Sequence, residues 1–353
     1  MQPSASDPVP KGPATEARRR ATVMADVARL AGVSHQTVSR VVNDSVHVRP
    51  ETRARVVTAM RKLGYRPNPV ARALVTGRSR TLGVVSFDTT LYGPASTLYA
   101  IERAAHEEDY FVSIVSLRSL DRVSMLSAVE RLLAQGVDGI LVIAPQRQAA
   151  NAVLDLPLDV PIVAAEAGPD DRVPVVAVDQ FAGAAMATRH LLELGHETVW
   201  HIAGPRDWLE AQQRIDGWRS ALEAAGAAAP PVLYGDWSPR SGYEVAQRLA
   251  AAPDVTAVFV ANDQMALGVL RRLHEAGHEV PGRLSIVGFD DIPEAAFFTP
   301  PLTTVRQDFR EIGRRSLLAL LREIEPGEHT SADVTVAPEL VVRMSTAAPA
   351  AGR

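Results

Sequence analysis

The sequence predicts an α/β protein with a small all-helical amino-terminal domain and a larger core that contains parallel sheets in two lobes. Residues 24–43 form two short helical patterns joined by a glycine-containing turn, which is typical of a helix-turn-helix. From residue 81 onward, short apolar runs rich in β-branched residues alternate with amphipathic stretches. This alternation predicts helices around parallel sheets that are buried on both faces. Because the seven strand and helix units exceed one small sheet, we expect two βα lobes.

The composition narrows the class of protein. With 353 residues, the chain has room for about two or three domains. It contains no cysteine, which excludes a disulfide scaffold, a thiolate zinc site and a cysteine nucleophile. No apolar run approaches the roughly 18 residues of a membrane helix, so we expect no membrane partner.

The charge is unevenly distributed along the chain. The formal net charge is −4, but residues 1–80 carry 15 basic and 5 acidic side chains, so the remainder is strongly acidic. A basic head on an acidic body suggests that a polyanion-binding module is fused to a second functional unit.

Residues 1–21 are predicted to be a disordered tail, because they are rich in Pro, Ser and Ala and low in hydrophobicity. The arginine run at 18–20 mimics the start of a twin-arginine export signal. However, Asp26 and Arg29 lie where the apolar part of such a signal belongs. We therefore expect a cytoplasmic protein.

Residues 22–66 are predicted to form the helix-turn-helix domain. Gly32 suits the positive φ at the end of the first helix, and Ser34 can cap the second. The second helix is expected to expose His35, Gln36, Ser39 and Arg40 and to bury Val38 and Val41. Gln and Arg pair with adenine and guanine in the major groove. An ordinary three-helix bundle that packs on protein is the alternative, but the basic charge favours a DNA-binding domain.

Residues 67–80 are predicted to be a hinge helix and linker. Asn68 can cap a helix of about seven residues, which is too short to be stable alone in water. This helix would expose Leu74 between arginines. One interpretation is an ordinary linker. The other is a hinge that folds only on DNA, with Leu74 wedged between bases in the minor groove.

Seven apolar runs are the predicted strands of the core. They are TLGVVSF (81–87), YFVSIVS (110–116), DGILVIA (138–144), PIVAAE (161–166), TVWHIAG (198–204), TAVFVAN (256–262) and LSIVGFD (284–290). Helices are expected near 96–108, 121–135, 180–194, 207–225, 240–252, 263–276 and 308–324. Ligands of such folds lie at the carboxyl ends of the strands, so the polar residues there are the first candidates for a site. These are Asp88, Glu166, Asn262, Asp263, Asp290 and Asp291.

From about residue 22 to 345, the chain resembles the lactose repressor family of bacterial transcription regulators. The matching stretches are VSHQTVSRVVN, RPNPVARAL, LLAQGVDGI, GDWS, VANDQMALG and PPLTTVRQDF. The resemblance implies a DNA-binding head, a hinge helix and a two-lobed core like that of periplasmic sugar-binding proteins. That fold agrees with the two βα lobes expected from the residue pattern.

The expected domain boundaries of the core follow from this combination. We expect the effector-binding core over 81–346 and a disordered tail over 347–353. The amino-terminal lobe is expected over about 81–178 and 308–335, and the carboxy-terminal lobe over about 179–307 and 336–346.

The resemblance also assigns roles to individual side chains. The residues expected to contact DNA are Ser34, His35, Gln36, Thr37, Ser39, Arg40, Asn43, Asn68, Ala71 and Leu74. The residues expected to bind a small effector are Leu91, Pro94, Glu166, Arg214, Trp237, Asn262, Asp290 and Phe309. The second set suits a sugar, because carboxylates and Arg grip adjacent hydroxyls and an indole covers the apolar face of a ring. Taken singly, each side chain has an ordinary explanation, such as core packing for Trp237 or capping for Asn262.

The stretch HEAGH (274–278) matches the H-E-x-x-H motif of zinc proteases. That motif requires both histidines on one face of a continuous helix. Gly277 is typical of a helix terminus and Pro281 follows it, so we expect His278 to leave the helical face. We therefore expect no metal site, no cofactor and no catalytic residue.

Together these features predict a sequence-specific transcriptional repressor whose affinity for a palindromic operator is regulated by a small sugar, with a galactoside as the first candidate. After Arg343 the sequence MSTAAPAAGR contains no heptad repeat, so we expect a homodimer. Two alternatives remain open. One is a sugar-binding protein of a transport system, which the core alone would allow, and the other is a zinc hydrolase.

Overall fold

The computed structural model describes residues 22–42, 47–66, 73, 77–87, 89–117, 119, 121–154, 160–167, 173–252, 254–325 and 333–350. The predicted tail at 1–21 lies outside the described residues, as do Asp88 and the predicted DNA contacts Asn43, Asn68, Ala71 and Leu74. The chain divides into two compact units, Met1–Ser79 and Arg80–Arg353.

The first unit contains three helices packed around a small apolar core. They are α1 (Met24–Ala31), α2 (His35–Val42) and α3 (Pro50–Leu63). Val27, Val38 and Val56, one from each helix, are fully buried where the helices meet. Each helix therefore buries one apolar face and leaves the opposite face exposed.

The turn between α1 and α2 has the features that the sequence predicts. Gly32 ends α1 with a φ of 64°, a conformation that residues with a Cβ rarely adopt, and the Val33 amide donates to the Ala28 carbonyl at 3.1 Å. Ser34 Oγ accepts a hydrogen bond from the Thr37 amide at 3.1 Å and so caps α2. The helix-turn-helix prediction is confirmed.

In the described part of the second unit, the strands form two six-stranded sheets. The strands are β1 (Thr81–Phe87), β2 (Phe111–Leu117), β3 (Gly139–Ile143), β4 (Ile162–Ala165), β5 (Val175–Val178), β6 (Trp200–Ala203), β7 (Leu233–Tyr234), β8 (Ala257–Val260), β9 (Ser285–Asp290), β10 (Thr303–Arg306), β11 (Val334–Val336) and β12 (Glu339–Val341). The central strands are apolar and buried along their whole length, as in β3 and β8, because helices cover both faces of each sheet.

The helices of the second unit flank these sheets. They are α4 (Tyr92–Glu107), α5 (Arg122–Ala134), α6 (Arg147–Leu154), α7 (Gln180–Glu193), α8 (Leu209–Ala224), α9 (Pro239–Ala251), α10 (Asp263–Glu275) and α11 (Phe309–Ile324), with a short 3₁₀ helix at Pro293–Phe297. No helix among the described residues is both long and apolar enough to span a bilayer.

Each sheet is the centre of one lobe. The amino-terminal lobe has the strand order β11-β5-β4-β3-β1-β2, and every neighbouring pair is parallel. The carboxy-terminal lobe has the order β12-β10-β9-β8-β6-β7, in which only β12 is antiparallel to its neighbour. The predicted α/β class with parallel sheets in two lobes is confirmed.

The chain passes between the lobes at three short crossovers. The first follows β5 at Asp179, the second spans 307–308 after β10, and the third spans 337–338 between β11 and β12. The Asp179 amide donates to the Val336 carbonyl at 2.9 Å, which joins the first crossover to the start of the third. Because only these short segments connect the lobes covalently, they are the natural hinge of the second unit.

The structure differs from the sequence prediction in its shortest elements. All seven predicted strands and seven predicted helices are present, with ends shifted by a few residues. The sequence pattern missed α6 and the strands β5, β7, β10, β11 and β12, which have two to four residues each. The missed strands β10, β11 and β12 (TTVR, VTV and ELV) mix polar residues with one or two apolar ones, so they form no apolar run.

The carboxy-terminal segment is attached to the second lobe beyond the predicted end of the core. Ser345 is fully buried, and its hydroxyl donates to the Ile286 carbonyl at 2.6 Å. Ala347 was expected to begin a disordered tail, but its amide and carbonyl both hydrogen-bond to the Ser285 hydroxyl, at 3.1 and 3.0 Å.

Candidate ligand pocket and nucleic-acid interface

A cavity of about 240 Å³ lies between the two lobes of the second unit. The amino-terminal lobe contributes residues 90–94, from the loop after β1 and the first turn of α4. The other lobe contributes residues at the ends of its strands and on the helices that follow. These are Trp208, Glu210, Arg214, Trp237, Ser238, Pro239, Asn262, Gln264 and Asp290, and Gln307 joins them from the second crossover.

The structure brings together most of the side chains that the sequence singles out for an effector. Six of the eight line the cavity: Leu91, Pro94, Arg214, Trp237, Asn262 and Asp290. Phe309 is not part of the lining, and its ring lies edge-on to the ring of Tyr92 at 5.7 Å. Glu166 is also not part of the lining. It interacts electrostatically with three residues that do line the cavity, Glu210, Arg214 and Asp290.

Arg214 of α8 is the buried cation of this pocket and is 2% exposed. Its Nε donates to Gln180 Oε1 at 2.9 Å, and its Nη1 donates to the Ala261 carbonyl. Its Nη2 lies 3.8 Å from Asp290 Oδ1, and its guanidinium lies 3.8 Å from the centre of the Phe289 ring. These polar and aromatic partners compensate the buried charge of the guanidinium, which would be strongly destabilising in the interior without them.

Arg214 and its partners form a ring of three hydrogen bonds that the 3.8 Å ion pair between Arg214 and Asp290 closes, and we call it the crossover ring. From Gln180, Nε2 donates to Gln307 Oε1 at 2.9 Å, and Gln307 Nε2 donates to Asp290 Oδ1 at 2.6 Å. Gln180 directly follows the first crossover, and Gln307 lies in the second. The crossover ring therefore ties two side chains of the pocket to two of the three connections between the lobes.

Asn262 and Trp237 form the polar and aromatic wall of the carboxy-terminal lobe. Asn262 Oδ1 caps α10 by accepting from the Met265 amide at 2.9 Å, and Asn262 Nδ2 donates to the Trp237 carbonyl at 3.1 Å. Trp237 has a φ of 73°, and its indole lies on Gly204, where an added Cβ would lie 2.2 Å from the ring. Asn262 thus caps α10 and also lines the cavity, and its Nδ2 donates to Gln264 Oε1 at 2.9 Å as well.

Aromatic rings surround the cavity. The Trp208 ring lies edge-on to the Trp237 ring at 5.5 Å, and Tyr92 lines the cavity from the opposite lobe. Trp237 Nε1 is buried and has no hydrogen-bond partner among the described residues. A buried N–H without a partner is costly, so this group is suited to an acceptor on a ligand.

Three carboxyl groups lie close together at the pocket. Burial raises the pKa of Asp290 to about 6, although Arg214 opposes this shift. Glu166 is 4% exposed, and the backbone of Val178 is the hydrogen-bonding group that partly offsets the cost of burying its carboxyl. Burial raises the pKa of Glu166 well above its ordinary value, and the nearby charge of Glu210 raises it further. These carboxyls therefore bind protons more readily than exposed ones.

Backbone hydrogen bonds join the lobes beside the cavity. The Leu209 amide donates to the Pro145 carbonyl at 2.9 Å, and the Arg147 amide donates to the Asp207 carbonyl at 3.1 Å. Trp208 lies between Asp207 and Leu209 in the sequence, so these two bonds hold it at the boundary of the lobes. The cavity is therefore bounded by groups whose positions depend on how the lobes sit relative to each other.

Sequence reasoning missed several lining residues. Tyr92 lies outside the predicted helix, which was expected to begin near 96 but begins at 92. Gln264 follows Asn262 by two residues at the carboxyl end of β8, and Gln307 directly follows β10. The position after a predicted strand could have identified Gln264. The same signal was not available for Gln307, because β10 was not predicted.

The second helix of the first unit presents the predicted base-reading side chains to solvent. On α2, His35, Gln36 and Arg40 are exposed as predicted, whereas the prediction that Ser39 is exposed is wrong, because Ser39 is partly buried, as is Thr37. Ser34 is exposed, but its hydroxyl also contacts Thr37 Oγ1 at 2.9 Å. The amino-terminal end of α2 therefore offers hydrogen-bonding groups on a rigid helix, which is the geometry that major-groove reading requires.

The HEAGH stretch does not have the geometry of a zinc-protease site. Helix α10 ends at Glu275, and Gly277 has a φ of 73°. His278 Nε2 hydrogen-bonds to the Ala250 carbonyl at 3.1 Å, whereas His274 lies in the last turn of the helix. The two histidines therefore do not share a helical face. Among the described residues, no three His, Asp or Glu side chains are placed to hold a metal ion.

Known proteins share this organisation. Residues 23–68 match the bacterial regulatory proteins of the lacI family, and residues 188–346 match the periplasmic binding protein-like domain. The chain is 35% identical to the lactose operon repressor of Escherichia coli (strain K12) over 326 residues, which cover 92% of this chain and 90% of that protein.

Two further similarities extend over the same length. The HTH-type transcriptional repressor PurR of Haemophilus influenzae is 34% identical over 329 residues, which cover 91% of this chain and 97% of that protein. A crystal structure of the Lac repressor dimer bound to operator and the anti-inducer ONPF matches with a TM-score of 0.82 at 34% identity, covering 93% of this chain and 100% of that one.

The raised pKa of Glu210 makes a pH-dependent contribution to stability. Burial raises this pKa from 4.5 to about 7, so the folded protein holds the proton more tightly than the unfolded chain does. Ionised Glu210 therefore disfavours folding, and this penalty grows as the pH rises from about 4.5 to about 7. We expect Glu210→Gln to increase the free energy of unfolding clearly at about pH 8 and much less at about pH 5, as measured by urea denaturation.

Glu223→Gln, at the exposed end of the same helix, is the matched control and should give the same small difference at both pH values. An effect of Glu210→Gln that did not change with pH would contradict the assignment.

Proposed function

The chain belongs to the lacI family of bacterial regulatory proteins, and we propose that a small sugar in the interlobe pocket controls its affinity for operator DNA. As a member of this family it is a DNA-binding transcriptional repressor with a ligand-binding core. The observation that carries the proposal is the crossover ring. It connects Arg214 and Asp290, which line the pocket, to the segments that connect the lobes.

The chemistry of the cavity favours a sugar. Asp290 and Asn262 supply oxygen acceptors for adjacent hydroxyls, and Trp237 supplies an N–H donor and a flat apolar indole surface. A cavity of about 240 Å³ lies below the roughly 300–1,000 Å³ of drug-sized sites, so the ligand is small. A galactoside is the first candidate. The comparable similarity to PurR does not select this sugar over other ligands.

Helix α2 is the proposed reader of the operator sequence. Gln36 and Arg40 are exposed on the same helix and can pair with adenine and guanine edges, while Ser34 and Thr37 near its start suit phosphate contacts. The segment 67–80 is proposed to act as the hinge that folds on DNA, with Leu74 in the minor groove. A two-fold symmetric protein then requires a palindromic operator with two half-sites.

The proposed assembly is a homodimer formed through the amino-terminal lobe. Strand β2 is an edge of its sheet, and its Phe111 and Ile114 are 74% and 47% exposed. Tyr99 of α4 and Val123 of α5 are 64% and 75% exposed in the same lobe. A free edge strand with large apolar side chains favours association, so we assign this surface to a second copy of the chain.

The switch is proposed to act through the crossovers. A ligand that hydrogen-bonds to Arg214 or Asp290 competes with the crossover ring, and this competition shifts the balance between two lobe arrangements. The amino-terminal lobe carries both the proposed dimer edge and β1, whose first residue, Thr81, directly follows the hinge segment. A change in lobe arrangement therefore alters how the two hinge segments of a dimer approach each other and the operator.

The protein is proposed to act by binding alone, without chemical catalysis, and in the cytoplasm, where the operator is. A sugar-binding protein of a transport system would have no use for a helix that presents Gln36 and Arg40. A zinc hydrolase would need both HEAGH histidines on one face of α10, which ends before His278.

Arg40→Ala tests the assignment of α2. We expect the variant to lose about 1–3 kcal/mol of binding free energy on its operator, because a bidentate contact to guanine is removed. The dissociation constants for the operator and for an unrelated duplex, measured at the same salt concentration, separate base reading from phosphate contact. An equal loss on both duplexes would contradict base reading by Arg40.

The switch is tested by measuring operator affinity with and without each member of a panel of common mono- and disaccharides. We expect one sugar to change the operator dissociation constant by about 5- to 150-fold, the usual range of allosteric coupling. Gln180→Ala removes one link of the crossover ring outside the cavity lining, so the change in operator affinity at saturating sugar should fall towards none, and calorimetry on the variant establishes the sugar concentration that saturates it.

Gln247→Ala, an exposed glutamine on α9, is the matched control and should keep the full response. Operator affinity that no sugar alters would contradict the proposed regulation, and a normal response of Gln180→Ala would contradict the role of the crossover ring.

A further inference from the structure

A noncovalent connection joins the lobes in addition to the three crossovers. Gln146, in the loop after β3 of the amino-terminal lobe, forms an isolated antiparallel β-bridge with Trp208, which directly precedes α8 of the other lobe. Two hydrogen bonds between the backbones of 145–147 and 207–209, at 2.9 and 3.1 Å, hold this pair together. We call these two bonds the interlobe bridge.

The interlobe bridge lies at a distance from the crossovers. In the order of the two sheets, β3 is two strands from β5, after which the chain first crosses, and β6 is three strands from β10, after which it returns. Neighbouring strands are about 4.8 Å apart, so the bridge lies roughly 10–15 Å from the crossovers. A rotation of one lobe by about 10° about the crossovers then moves the bonded atoms apart by about 2 Å, which breaks a hydrogen bond. Hinge motion of this size therefore opens the bridge.

The closed bridge is only weakly favoured, because it buries a polar group at a cost. The Gln146 side chain is 2% exposed, and its Oε1 has no hydrogen-bond partner among the described residues. A buried acceptor without a partner destabilises a structure by about as much as one or two backbone hydrogen bonds stabilise it. The closed bridge is therefore close in free energy to an open arrangement in which the Gln146 amide reaches water.

The interlobe bridge also positions one wall of the cavity. Trp208 lines the cavity, and its ring lies edge-on to the Trp237 ring at 5.5 Å. Residues 90–94 line the cavity from the amino-terminal lobe. A ligand that touches both walls holds the lobes at the separation at which the bridge is closed. Ligand binding and closure of the bridge therefore favour the same lobe arrangement.

We propose that the interlobe bridge is a latch, which opens and closes in the free protein and which the effector holds closed. Gln146 and Trp208 are its two halves, and they act as positioning residues for the cavity wall. The opening of the latch does not depend on the identity of the ligand, whereas its closure by a sugar rests on the proposed function. The latch is a contact that exists in one lobe arrangement and is absent from the other, as a two-state switch requires.

Hydrogen exchange of the full chain, followed by mass spectrometry with residue-level fragmentation, tests the opening without a ligand. After correction for intrinsic rates, we expect the Arg147 and Leu209 amides to exchange at least about tenfold faster than the Asp179 amide, which donates to the Val336 carbonyl beside the crossovers. Exchange requires the hydrogen bond to open, and the bridge opens as the lobes rotate while the crossovers stay in place. Equal protection of the three amides would contradict the latch.

A proline at residue 147 weakens the latch. Arg147 is exposed and begins α6, a position that favours proline, and Gln146 before it is extended, as an antiparallel bridge requires. Arg147→Pro removes one N–H donor of the bridge and leaves the helix intact. In calorimetry, it should weaken binding of the sugar that the panel identifies by about threefold or more. Arg147→Ala removes the same side chain but keeps the N–H, so it should bind as the unaltered chain does.

Gln146→Met should act in the opposite direction. Met has a similar length but no amide, so the closed bridge no longer buries an acceptor without a partner. We expect this variant to slow exchange of the Leu209 amide by about threefold or more and to tighten binding of the sugar. Leu209→Pro removes the other donor at the first residue of α8 and replaces Arg147→Pro if that variant does not fold.

The outcomes separate the latch from the proposed function. If a sugar binds and alters operator affinity, but Arg147→Pro binds it as tightly as Arg147→Ala does, closure of the latch by the effector is wrong and regulation by a sugar stands. If no sugar binds, the proposed function is wrong, and the exchange rates alone decide whether the latch opens.

Discussion

The buried guanidinium of Arg214 is the interaction on which the rest of the second unit depends. Its partners come from α7, from the end of β8 and from the end of β9, so one side chain joins three elements of the carboxy-terminal lobe. Removing one partner of a buried charge typically costs about 3–5 kcal/mol, which explains why the surrounding amides and the carboxylate are all satisfied. The pocket is therefore built from the same hydrogen bonds that hold the lobe together.

As a consequence, side chains that line the pocket also hydrogen-bond to the residues that connect the lobes. Asp290 accepts from Gln307 of the second crossover, and Gln180 beside the first crossover links Gln307 to Arg214. A ligand that binds Asp290 or Arg214 alters the crossover ring. The pocket therefore acts on the connections between the lobes directly, without a long relay of packed side chains.

Much of the fold and part of the site could be predicted from the sequence. Long apolar strands and amphipathic helices gave the two-lobed α/β class, and polar residues after strands, such as Asn262 and Asp290, were visible candidates. The crossover glutamines Gln180 and Gln307 were not visible, because isolated amides without periodicity give no signal and β10, which precedes Gln307, contains only one apolar residue in the sequence TTVR. Tyr92 was missed for the related reason that α4 begins four residues before its amphipathic pattern does. The relation between Glu166 and Glu210 depends on how the lobes meet, which no local pattern records.

Reciprocal coupling is the most direct test of the central claim that the crossover ring serves both the pocket and the connections between the lobes. The affinity of the effector is measured by calorimetry on the free protein and on its complex with operator duplex. Thermodynamic linkage predicts that operator changes effector affinity by the same factor by which effector changes operator affinity, and that Gln180→Ala removes both changes together. An effector that binds the free protein and the complex with equal affinity would contradict the account.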